Sequence, residues 1–184
     1  MTVSGALMGR RPCLVVVDVQ KAAVAAGPFQ VDRVLENIAA LLSAARKSGA
    51  EVVFVQHDGE PGESEEPHTP GWEIHPAVAP EGDEPVFRKR FNSAFRETEL
   101  HSYLQTRGVD ALIIVGIQTE YCVDTSVRVA FELGYTVVLP EMTNTTFDNG
   151  AVSAQEIYEM FNHRIFADRF ASVIPVGDVL QALG

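Results

Sequence analysis

Three side chains of this sequence could carry nucleophilic chemistry if folding brought them together: the Cys122 thiol, the Asp18 carboxylate and the Lys89 ammonium. Cys122 follows an apolar run at 111–115 and the turn Gly116-Ile117-Gln118-Thr119-Glu120, so it falls in the first turn of a helix. There the unpaired N–H groups and the positive end of the helix dipole lower a thiol's pKa, and the thiolate is the reactive form. The same N–H groups could hold an oxyanion. The plain alternative is that a lone cysteine is a small buried hydrophobe. Cys13, which opens a buried strand, is read in that plain way.

Asp18 ends the run Leu14-Val15-Val16-Val17. A carboxylate at the mouth of a sheet is partly desolvated, which raises its pKa and suits it to proton transfer unless a cation holds it ionised. A helix or loop cap would explain the same position. Lys89 lies in Arg88-Lys89-Arg90-Phe91-Asn92-Ser93-Ala94-Phe95, and a basic run is usually a solvated face. A lysine folded against Asp18 would instead keep that carboxylate poised and favour the thiolate. His57, His68 and His75 fall in or beside one long loop, where zinc or iron could in principle assemble. Their irregular spacing, with no His-x-His, Asp-x-His or paired-Cys pattern, gives no metal site and no cofactor. His163, near a helix carboxyl end, is explained as a dipole partner. No glycine-rich phosphate loop follows any strand.

The elements that must position these groups alternate. Buried strands are read at 14–17, 52–55, 86–88, 111–115, 137–139 and 173–176. Between them, Asp32 caps a helix carrying Val34, Ile38, Leu41, Leu42 and Ala45, closed by Gly49. Thr98 caps a second, ending at Gly108, and a third spans about 121–133. Ser153 with Glu156 forms a capping box for a fourth. Residues 57–84, rich in Pro, Gly and acids, are a long excursion over the sheet edge, and loops of that length are often functional. This order predicts one α/β domain over 1–184: a doubly wound, mostly parallel six-stranded sheet between two helical layers. The site then belongs at the carboxyl ends of the strands.

Composition narrows the partners. With 14 Lys and Arg against 25 Asp and Glu, the net charge of -11 repels phosphate backbones and anionic lipid, so neither nucleic acid nor a membrane surface is expected. The apolar stretches are too short for a signal or membrane segment, and two cysteines suggest no disulfide framework. A cytoplasmic protein is expected, with a Cys13–Cys122 bridge left open.

In chain order, Leu14-Val15-Val16-Val17-Asp18-Val19-Gln20, Lys89-Arg90-Phe91-Asn92-Ser93-Ala94-Phe95 and Gly116-Ile117-Gln118-Thr119-Glu120-Tyr121-Cys122-Val123 resemble the isochorismatase-like cysteine hydrolase family. The resemblance covers nearly the whole chain. It implies a catalytic Asp18, Lys89 and Cys122, and a cis peptide between Ile117 and Gln118 that turns the N–H groups of Gln118 and Cys122 toward an oxyanion. It also implies a pocket to which Gln20, Trp72, Phe95 and Glu120 contribute, and a homodimer or larger assembly acting on a small molecule. Metal-binding members carry an Asp-x-His element with further histidines after the second strand. Here that place reads Gln56-His57-Asp58-Gly59, which implies no metal, and because vinyl-ether cleavage in the family does not need the cysteine, the retained Cys122 implies cleavage of a carbon–nitrogen bond in an amide or ureido compound, through a thioester. Two alternatives stay open: vinyl-ether hydrolysis with Asp18 as acid, and a redox- or ligand-sensing thiol. Trp72, in Pro70-Gly71-Trp72-Glu73-Ile74-His75-Pro76, either shapes the pocket or anchors the loop.

Overall fold

A computed structural model of the chain describes residues 6–184. The strands are β1 (Pro12–Val17), β2 (Glu51–His57), β3 (Val86–Lys89), β4 (Ala111–Ile117), β5 (Thr136–Pro140), β6 (Asn144–Thr145) and β7 (Ser172–Ile174). The helices are α1 (Lys21–Ala25), α2 (Val31–Ser48), α3 (Leu100–Thr106), α4 (Asp124–Glu132), α5 (Ala154–Met160) and α6 (Val176–Leu183). A π-helical turn, Thr119–Val123, leads into α4, and another, Phe161–Phe166, follows α5.

The strands pair in parallel in the order β3-β2-β1-β4-β5-β7. These are the six that the apolar runs indicate. A seventh, the two-residue β6, joins the end of β4 where β5 has left it, pairing Gly116 with Asn144. Two residues are too few to show periodicity, which is why six strands and not seven are expected from sequence. The final strand also corrects the sequence reading. It stops at Ile174, and Pro175 is the terminal residue from which α6 starts at Val176, burying Val179 and Leu183. A short apolar run does not by itself distinguish strand from helix start, whereas proline at the junction suits a helix entrance. Asp32 likewise sits inside the first turn of α2, where Gln30 is the terminal residue, and makes no capping bond. The Ser153–Glu156 capping box is present at α5.

Strand pleating sends alternate residues of β1 into two cores. Leu14 and Val16 pack with Val34, Ile38, Leu41 and Leu42 of α2 and Val179 of α6. Cys13, Val15 and Val17 pack with Leu100 and Leu104 of α3 and Val127 of α4. The sheet is therefore the middle of three layers, and its carboxyl edge is left to the loops.

Gly116 sets how tightly that edge closes. Its φ is +134°, and a Cβ there would lie 1.9 Å from the carbonyl oxygen of Val17, its partner across β1 and β4. Only glycine tolerates both the conformation and the approach. The residues that follow each partner, Asp18 and Ile117, are thereby drawn together. Gly116→Ala should cost at least about 3 kcal/mol, because a backbone clash joins a forbidden φ. Urea unfolding checks this, and a loss under 1 kcal/mol would show that the strand ends can part.

Candidate active site

Asp18 and Ile117 stand one step beyond a paired strand position, and His57 and Lys89 are themselves such a pair. Val17 is in register with Val55 and Gly116, and His57 with Lys89. The carboxyl ends of β1, β2, β3 and β4 thus deliver Asp18, His57, Lys89 and Ile117 to one rim. Asp18 leaves β1 with φ 52° while its N–H bonds to Val55 O at 2.9 Å. This left-handed backbone, unusual outside glycine, turns the carboxyl away from the strand direction.

Lys89 reaches Asp18 Oδ2 at 2.5 Å, with side-chain exposures of 0% and 7%, and donates to Cys122 Sγ at 3.3 Å. The thiol also interacts directly with the Asp18 carboxyl, and Asn92 Oδ1 stands 4.0 Å from the sulfur. The three residues singled out from the sequence are therefore mutually in contact. The peptide Ile117–Gln118 is cis, and Cys122 follows it within the π-helical turn.

Burial dominates the protonation of this cluster. It raises the Asp18 pKa, with the Lys89 charge and hydrogen bonds from Lys89 and the thiol pulling the other way. Desolvation opposes the Lys89 ammonium, yet Asp18 and Cys122 together lift its pKa above the ordinary value. The Cys122 thiol is pushed up to about 12, first by burial and then by Asp18, against the pull of Lys89. Sequence position had suggested a lowered value. The helix-end effect is a fraction of a charge, and a neighbouring carboxylate in a dry site outweighs it. The group at neutral pH is therefore a protonated thiol that accepts from the ion-paired Lys89.

Beside Asp18 lies an open cavity of about 250 Å³, lined by Ala22, Ala23, Ala26, His57, Ser64, Glu65, Ile117, Gln118 and Phe147 as well as Asp18. Of the four pocket candidates, none lines it. Gln20 is fully buried and acts as a clamp: Oε1 accepts from His57 N at 2.8 Å, and Nε2 donates to the carbonyls of His57 and Trp72. Trp72 anchors the long loop, donating from Nε1 to Asp58 at 2.9 Å beneath the Arg88 guanidinium. Phe95 stacks on Tyr135 in the core. Glu120 accepts from Gln118 Nε2 at 3.0 Å, so it orients a lining residue.

The loop histidines are dispersed. His57 lines the cavity, and burial with the nearby Lys89 charge lowers its pKa, leaving it neutral. His68 packs on Trp72, and His75 Nδ1 accepts from Ala77 N at 3.3 Å. Among the described residues, no three His, Cys, Asp or Glu side chains form a metal-holding group. Both cysteines are unbridged, and among the described residues no helix is long and apolar enough to cross a membrane. Sequence reasoning missed Glu65 and Ser64, for which no local signal exists. Acids in a Pro- and Gly-rich loop look solvated until the loop closes.

Asp18→Asn should lower the Cys122 pKa, because it removes the carboxylate that holds the thiol protonated and leaves the Lys89 charge. The rate of iodoacetamide modification, followed against pH in folded protein, should begin to rise at lower pH than in the unsubstituted chain. An unmoved or higher onset would contradict the charge arrangement described.

A family profile, the isochorismatase domain, matches residues 12–176. A streptothricin hydrolase of Streptomyces noursei is 44% identical over 137 residues, which cover 73% of this chain and 50% of the relative. The chain thus spans about half the length of that relative. A ureidoacrylate amidohydrolase of Variovorax paradoxus is 27% identical, covering 84% of this chain and 77% of that protein. The crystal structure of an isochorismatase from Pseudomonas putida superposes with a TM-score of 0.87 at 32% identity, covering 96% of this chain and 91% of the other. The profile match runs through Asp18, Lys89 and Cys122 alike, and the chain belongs to the isochorismatase family.

Proposed function

We propose that this protein is a metal-independent cysteine amidohydrolase that cleaves a carbon–nitrogen bond of a small amide or ureido compound. The observation that carries the reading is Cys122 Sγ, 3.3 Å from a lysine that is itself ion-paired with Asp18, the member of the three that lines an open cavity at the sheet's carboxyl edge. Relatives named as hydrolases of streptothricin and ureidoacrylate favour the same bond type.

In the reaction, the substrate carbonyl enters over the Gln118 peptide. Asp18 takes the thiol proton as sulfur attacks the carbonyl carbon, and the carbonyl oxygen becomes an oxyanion held by the N–H groups of Gln118 and Cys122. A raised Asp18 pKa suits this exchange, since a strongly acidic carboxylate would be a poor base toward a thiol. Asp18 then passes the proton to the leaving nitrogen, the C–N bond breaks, and a thioester remains. Water attacks that thioester, giving its proton to Asp18, and the acid leaves as the thiol is restored. Lys89 stays charged throughout and offsets the negative charge that moves between carboxylate, sulfur and oxygen. Its contact with both Asp18 and Cys122 fixes their separation.

Three measurements test the reading. Cys122→Ala should retain the fold by circular dichroism and reduce turnover in a panel of small amides and ureido compounds to background. Full activity in that variant would favour vinyl-ether chemistry with Asp18 as acid. Asp18→Asn should lower kcat by about 10²–10⁴-fold, the usual worth of a positioned proton acceptor. Mass spectrometry of quenched reactions should find Cys122 acylated; a sulfenic acid without acylation would place the thiol in redox sensing instead.

A further inference from the structure

The cavity beside Asp18 carries one acid that the mechanism above does not use. Glu65 projects from the long loop onto the same lining as Asp18, His57 and Gln118. Its carboxylate makes no ion pair and no side-chain hydrogen bond among the described residues. No lysine or arginine lines the cavity, and the nearby Lys89 is already committed to Asp18 and Cys122. The remaining lining is uncharged: Ala22, Ala23 and Ala26 beside α1, Ser64, Ile117, Gln118 and Phe147.

This acid is placed by construction. Gly71 packs so closely on the loop that a Cβ there would lie 2.2 Å from Ser64 O, and the Gly59 N–H donates to Glu65 O at 2.9 Å. Gly71 O in turn accepts from Ala22 N at 2.9 Å, tying the segment to α1 across the cavity mouth. Two backbone attachments and one close approach thus hold Ser64 and Glu65 over the site.

Resting on the amidohydrolase reading, we propose that Glu65 determines specificity by pairing with a cation, an ammonium or guanidinium, carried by the substrate a few bonds from the scissile carbonyl. A half-buried carboxylate without a partner is an unfavourable arrangement that a cationic ligand corrects, while an anionic ligand would meet Asp18 and Glu65 together. The alanine face and Phe147 suit the apolar part linking cation to amide. The groups facing Glu65 support this. Burial, then Asp18 of β1, raise its pKa to about 7; Lys89 of β3 acts oppositely, and Glu63 of the loop adds to the rise. His57 of β2, with its own pKa lowered, brings no competing charge at neutral pH. A bound cation favours ionised Glu65, so cation preference is full above pH 7 and declines as the carboxyl takes up its proton below it.

The test needs no known substrate. Methanethiosulfonates with a trimethylammonium, a neutral methyl or a sulfonate group form a disulfide with Cys122, with sulfinate as leaving group. Dividing the rate for the cationic reagent by that for the neutral one, and normalising to free cysteine, cancels changes in thiol reactivity. The unsubstituted protein should show a ratio at least tenfold above free cysteine at pH 8, with the sulfonate slowest, and the ratio should fall severalfold between pH 8 and pH 6. Glu65→Gln should bring it close to the free-cysteine value. Gly71→Ala, which displaces the segment but keeps the charge, should reduce it as well. A ratio equal to that of free cysteine, or one unchanged in folded Glu65→Gln, would overturn the assignment. Failure of all three reagents to modify Cys122 would instead remove the accessible nucleophile on which the amidohydrolase reading depends, and the specificity assignment with it.

Discussion

A lysine and an aspartate, both withdrawn from water at the edge of a sheet, form the interaction on which the rest of this site depends. Ions in such a place are costly to desolvate, and removing one partner of a buried pair typically costs about 3–5 kcal/mol because the other is left uncompensated. Lys89 and Asp18 meet that cost together, with exposures of 0% and 7%. Their union also sets the chemistry. The carboxyl is neither freely acidic nor fully neutralised, and the sulfur shares the same ammonium. A thiol held this way stays protonated at neutral pH, in contrast to the exposed, low-pKa cysteines of redox sensors.

Such a pair must be made geometrically unavoidable, and the parallel register does so. Val17 and Gly116 are level across β1 and β4, and His57 and Lys89 across β2 and β3, so side chains distant in sequence emerge at one height. The missing side chain at Gly116 lets the β1 carbonyl approach, and the left-handed Asp18 turns its carboxyl inward. Gln20 then completes the edge of β2 by bonding both backbone groups of His57, using its second donor contact to hold the loop at Trp72. A residue two positions from the acid thereby couples the strand edge to the loop at Trp72.

That loop and the strand ends are held in place by different means. The acid, ammonium and sulfur arise from strand ends and a helix start, elements that the two cores fix. Ser64 and Glu65 arise from an excursion held by backbone contacts to Gly59 and Gly71. The loop can therefore vary while Asp18, Lys89 and Cys122 keep their places, as expected for a loop positioned by a rigid scaffold.

The amino-acid sequence by itself determined the alternation of buried runs and amphipathic helices, because side-chain periodicity is a local property that burial must satisfy. It also marked Asp18 and Cys122 as element-terminal groups, and the resemblance brought in Lys89. It could not assign the two-residue β6, the start of α6 at Val176 or the work of Gln20, since each depends on what lies across the sheet. Trp72 and Phe95 are aromatic and near suggestive segments, yet one anchors a loop and the other fills the core. The sign of the thiol's pKa shift was likewise decided in three dimensions. A helix terminus is visible in sequence, but desolvation and the Asp18 charge act through space and are larger. Only folding could place Glu65, because an acid's environment is set by the chain segments that close around it.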